Sequence, residues 1–154
     1  MNQKYIHVYN NLINFSRNKD LYINLNRQDN FSDRLIIFLL HFAFLLKNFK
    51  NEENKIVLQE IYDFIFRQLE LSIREIGYGD QSINKKMKDY INLFHSMVSE
   101  IHFWDNLIDS EKQKKISKMR KIRIYCRKFM TLISDNLNLA YERSDMVINL
   151  LTRK

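Results

Sequence analysis

A chain of 154 residues with two glycines, no proline and one cysteine, Cys126, is a single domain by length and buries enough surface to need no metal or disulfide staple. One cysteine excludes an internal disulfide and fits a reducing compartment, the cytoplasm. The formal charge of +7 is local: residues 51–79 carry 3 cations and 6 anions, whereas residues 106–130 carry 9 cations and 2 anions.

The opening segment, "MNQKYIHVYNNLINF", has neither the charged-then-apolar order of a secretory signal nor the Arg- and Ser-rich make-up of a transit peptide, so it is expected to begin the folded domain. Sustained apolar spacing at three and four residues predicts an all-α, compact single-domain bundle of five to six helices. The first runs from about Gln3 to Asn18, with Tyr5, Val8, Tyr9, Leu12, Ile13 and Phe15 as its apolar stripe. The alternating Leu21, Ile23 and Leu25 that follow suit an extended segment laid on the bundle.

Asn30 or Ser32 can cap the second helix, about Phe31 to Phe49, which is apolar nearly all round and therefore central. Its run "LIIFLLHFAFLL" measures about 18 Å as a helix, against about 30 Å of bilayer hydrocarbon, so it does not span a membrane. His41 sits alone among Leu, Phe and Ala, with no second His or Cys one turn away, and reads as a core histidine with one hydrogen bond.

The third helix begins near Asn51, where Glu52 and Glu53 suit the positive end of its dipole, and buries Leu58, Ile61, Ile65, Leu69, Ile73 and Ile76. Gly77 is the residue expected at the left-handed position that closes a helix. Asp80 or Ser82 then caps a fourth helix carrying Ile83, Met87, Tyr90, Ile91, Phe94, Met97, Val98, Ile101 and Trp104 inward. Gly77-Tyr78-Gly79-Asp80 is thus a tight corner between the third and fourth helices. As a dinucleotide loop it fails, since Ser82 stands where a third glycine is needed and a helix precedes it.

Ser110 and Gln113 form a plausible capping box for a fifth helix to about Leu137, and a short helix from Ser144 to Leu151 completes the chain. The fifth helix carries a basic patch, Lys114, Lys118, Arg120, Lys121, Arg123, Arg127 and Lys128. Two readings stand for it. One is a solvated face, which the bias toward Asn, Ile and Lys with alanine only at Ala43 and Ala140 would produce through AT-rich codons alone. The other is a surface for anionic lipid, ribosomal RNA or an acidic protein, residues 112–128 acting as a ribosome- or RNA-binding module. No metal or catalytic constellation emerges: His95, His102 and Asp105 do not close a site, Cys126 lies on the apolar stripe, and Ser72 has no base nearby.

At residues 74–88 the chain reads "REIGYGDQSINKKMK", and this segment resembles the ubiquinol–cytochrome c chaperone family, the assembly factors of the cytochrome bc1 complex. Arg74, Glu75, Gly77, Gly79, Asp80, Ser82, Lys85, Lys86, Met87 and Lys88 fall on the family's motif. "SRN" at Ser16 to Asn18, Tyr22, Asp29, Arg34 and His41 agree as well, and the resemblance covers about residues 5–100. It departs at Phe94-His95-Ser96-Met97, where members often carry Phe-Tyr-Gly-Arg, and residues 105–154 match weakly.

The resemblance implies a non-enzymatic, cofactor-free, all-helical chaperone that binds newly made cytochrome b, with a small partner protein and the ribosome exit region as further contacts, and not DNA. It implies action in the cytoplasm, peripheral to the inner membrane, with anionic lipid as a further contact. Within that reading Met87, Phe94, Met97 and Trp104 are candidates for apolar client contact, and Arg74, Asp80, Lys85, Lys86 and Lys88 for a charged partner; core packing and mutual salt bridging are the competing roles.

Overall fold

In the computed structural model, residues 3–17, 19 and 31–118 are described, and these hold five α-helices and no strand. They are α1 (Ile6–Ser16), α2 (Phe31–Phe49), α3 (Lys55–Glu75), α4 (Asp80–Glu100) and α5 (Asp109–Lys118), with short 3-10 turns at Gln3–Tyr5 and Trp104–Asn106. The extended segment read at residues 21–25, the Asn30 cap, the fifth helix beyond Lys118 and the helix at 144–151 lie outside the described residues.

The apolar run of α2 is buried without interruption from Leu35 to Phe44, because α1 and α4 pack against it on different sides. A helix enclosed in this way has no face left for water, which is why its sequence shows no polar stripe. His41 is buried within the run, its Nδ1 2.8 Å from the Ile37 carbonyl oxygen and its ring stacked on Phe15 at 5.8 Å. Burial lowers its pKa below 6.5, opposed only by that hydrogen bond, so the ring stays neutral.

Helices α3 and α4 form an antiparallel hairpin about residues 76–79. Tyr62 and Phe94 each lie 16 residues from Tyr78 along the chain, and their rings meet at 5.8 Å, as a hairpin centred there requires. Phe94 also stacks on Phe42 of α2 at 5.0 Å and meets Phe66 edge-on at 5.3 Å, so one ring ties three helices together. Trp104 seals the far end against Phe44 at 5.1 Å.

Several helix ends fall elsewhere than the sequence suggested, each for a local hydrogen-bonding reason. The third helix starts at Lys55: the Asn51 side chain accepts from the Asn54 N–H at 2.7 Å, and Asn54 Nδ2 donates to the Phe49 carbonyl at 3.2 Å. This asparagine-held turn leaves Glu52 and Glu53 ahead of the helix. The N-cap of α4 is Gly79, not Asp80 or Ser82, and the helix stops at Glu100, so Trp104 reaches the core from a 3-10 turn. At α5 the cap lies two residues earlier than Ser110, with Glu111 Oε2 accepting from the Ile108 N–H at 3.1 Å. Ile76, expected inside, is 53% exposed because α3 has already ended at Glu75.

Candidate functional site

The last turn of α1, the first turns of α2 and the last turns of α3 meet around a cavity of about 320 Å³. Ile13, Ser16 and Arg17 line it from the first, Phe31, Arg34, Leu35 and Phe38 from the second, and Leu69, Ser72, Glu75 and Ile76 from the third, with Tyr9 behind them. The walls are mainly apolar, and charged groups contribute at Arg17, Arg34 and Glu75. Three separated segments that carried the family resemblance, at Ser16, Arg34 and Glu75, therefore converge on one place.

The hydroxyls in this cavity are committed to the fold. Ser72 Oγ donates to the Gln68 carbonyl at 3.0 Å and lies 3.4 Å from the Tyr9 hydroxyl, and Ser16 Oγ donates to the Ile13 carbonyl at 2.8 Å. A serine whose proton is held by its own helix backbone is not poised as a nucleophile. What the cavity offers is an apolar surface with guanidinium and carboxylate groups in its lining, suited to holding a side chain or helix end.

Ile76 and Glu75 connect this cavity to the α3–α4 connection. Gly77 has φ +99°, a left-handed value, and its N–H donates to the Arg74 carbonyl at 3.0 Å, closing α3. Gly79 has an extended backbone, φ −70° and ψ 156°, and its carbonyl accepts from the Ile83 N–H at 3.0 Å to begin α4. Across the connection Arg74 donates to Glu70 at 2.8 Å and 3.1 Å and to Asp80 at 2.5 Å. Those hydrogen bonds, Glu70 first, hold the guanidinium protonated above its ordinary range. Asp80, expected as a cap, thus serves as the clasp between the two helices.

The lysines behave differently from Arg74. Lys86 lies over the Tyr78 ring at 4.5 Å, while Lys85 and Lys88 are exposed on α4. Met87 is half-buried against the core. Phe94, named as a contact for a client, is 1% exposed, and Met97 and Trp104 are buried with it. Phe94 is corrected to a core residue: the aromatic cluster of α2, α3 and α4 closes over it.

On the basic helix, Lys114 is exposed and Lys118 closes α5, whereas Arg120, Lys121, Arg123, Arg127, Lys128 and Cys126 lie outside the described residues. Lys112 sits 5.7 Å from the Trp104 ring centre. His95 pairs with the Tyr62 hydroxyl at 3.2 Å and Asp105 with Lys47 at 2.5 Å, so the three residues weighed as a metal set turn to separate partners. No group of three or more His, Cys, Asp or Glu residues able to hold a metal ion occurs among the described residues.

Sequence reasoning did not single out Tyr9, Arg17, Phe31 or Leu69 as site residues. Spacing places each on its own helix, but the meeting of three helix ends is a tertiary fact; the usable signal was that the resemblance fell in separate short segments. No helix of the described residues is long and apolar enough to cross a membrane. No curated protein and no solved structure matches the chain. The family model described as "Ubiquinol-cytochrome C chaperone" matches residues 24–102, which takes in α2, α3, their connection and the whole of α4. The chain belongs to the ubiquinol-cytochrome C chaperone family.

Proposed function

We propose that this chain is a non-enzymatic assembly chaperone of the cytochrome bc1 complex that holds newly made cytochrome b from the cytoplasmic face of the inner membrane. Membership of the chaperone family is the observation that carries the reading. The cavity between α1, α2 and α3 supplies a physical means. A client whose helices are destined for a bilayer exposes apolar surface in water, and covering even part of it removes the drive to aggregate. Ile13, Phe31, Leu35 and Ile76 offer such cover, and Arg17 and Arg34 suit a carboxylate or carbonyl at the end of the captured helix.

An affinity-tagged chain, isolated from cells during a pulse of protein synthesis, should carry labelled cytochrome b. The double variant Phe31→Asp with Arg17→Glu should fold normally, since both residues lie at the cavity's surface-facing edge, and should recover several-fold less. Recovery of no cytochrome b by the unaltered chain would overturn the proposal.

A further inference from the structure

Gly79 has no structural reason to be glycine. Its φ is one that any residue adopts, and a Cβ built there meets nothing within 4 Å. It is also the N-cap of α4, a place where Ser, Asp or Asn would add a hydrogen bond, and α4 has no side-chain cap. The fold thus forgoes a stabilising residue to keep a bare patch of backbone at its surface, and bare backbone allows another chain to approach closely.

The surroundings identify what kind of chain. Ile76 is 53% exposed and Tyr78 45% exposed, so apolar area lies on both sides of Gly77. Arg74 is saturated by Glu70 and Asp80, which leaves Lys85, Lys86 and Lys88 against Glu75 and Asp89 as the charges that face outward nearby. The balance is positive, and one of the three ammonium groups covers the face of Tyr78.

We infer that Ile76, Tyr78, the bare backbone of Gly79 and the lysines of α4 form a docking surface for a helix of the client whose end carries carboxylates beside apolar side chains. The apolar residues take the helix flank, Gly79 lets its backbone come close, and Lys85 and Lys88 meet its Asp or Glu residues. Because Ile76 also lines the cavity, the two surfaces are continuous. This inference rests on the chaperone reading and specifies where that role is exercised.

The test uses the full chain and cytochrome b made by cell-free translation into detergent micelles. Gly79→Ser should raise the Tm by about 2–4 °C through capping and a less free unfolded chain, yet lower capture about tenfold by obstructing the close approach. Lys85→Glu with Lys88→Glu should fold normally, weaken capture several-fold and make it less sensitive to salt. Undiminished capture by both variants would overturn the inference while leaving the chaperone reading in place, as would loss of capture in Gly79→Ser accompanied by a Tm several degrees lower. Equal sedimentation of the unaltered chain and Gly79→Ser with phosphatidylglycerol vesicles, without cytochrome b capture through this surface, would assign it to lipid instead and overturn the inference. Failure of the unaltered chain to capture cytochrome b would overturn the chaperone reading itself.

Discussion

Replacing Gly77 by alanine tests whether the α3–α4 connection is built as described. The backbone there has φ +99°, and no atom lies within 4 Å of a Cβ placed on it. The whole effect must therefore come from conformation and none from a clash. An L-residue held in the left-handed region costs about 1–2 kcal/mol, and the reduced freedom of the unfolded alanine chain offsets about 0.4–1 kcal/mol at positions where it can be realised, which this one is not. A loss of about 1–2 kcal/mol is expected, equal to a fall of about 3–6 °C in Tm for a domain of this size. Gly77→Asn should lose less, because asparagine tolerates the left-handed region. Gly79→Ala, two residues on, should shift stability by less than about 0.5 kcal/mol. Urea unfolding followed by far-ultraviolet circular dichroism measures all three, with the m value unchanged. Equal midpoints for Gly77→Ala and the unaltered chain, or equal losses at the two glycines, would refute this account of the turn.

Phe94→Ala should cost about 3–5 kcal/mol, a large share of the stability of an ordinary domain, because it empties the centre of the α2–α3–α4 aromatic cluster; full stability with weakened client capture would instead return Phe94 to the surface role first expected of it. Burial lowers the His41 pKa from 6.5, so the unfolded chain takes up the proton first and stability falls as pH drops below about 6.5; His41→Leu should flatten that part of the stability–pH curve in chemical denaturation. The Glu60 carboxyl is held below 4.5, first by the Tyr5 hydroxyl and then by Lys4. Its stabilisation is present above 4.5 and lost as pH falls through the lower folded value, so Tyr5→Phe should be less stable than the unaltered chain at pH 7, with the difference narrowing in acid.

Helix-forming patterns were legible because each depends on neighbours three and four residues away. The uninterrupted burial of Leu35 to Phe44, the left-handed Gly77 and the neutral core His41 all followed from local spacing and residue type. Boundaries were less legible, since they turned on competition among adjacent polar groups: Asn51 and Asn54 outbid Glu52 and Glu53 for the start of α3, and Glu111 outbid Ser110 at α5. Phe94 shows a different limit. Its place in the α4 pattern marked it as inward-facing but not how deep it would lie, because depth depended on Phe42 and Phe66 arriving from two other helices. The cavity was hidden for the same reason. Arg17, Phe31 and Ile76 are far apart in sequence, and each is unremarkable on its own helix.

The central claim, that the chain is needed to bring cytochrome b into the bc1 complex, is tested most directly by reduced-minus-oxidised difference spectra of membranes from cells lacking it. The account predicts loss of most of the cytochrome b and bc1 signal, restored by the unaltered chain and only weakly by Phe31→Asp with Arg17→Glu. A full complement of assembled bc1 complex in the cells lacking the chain would contradict it.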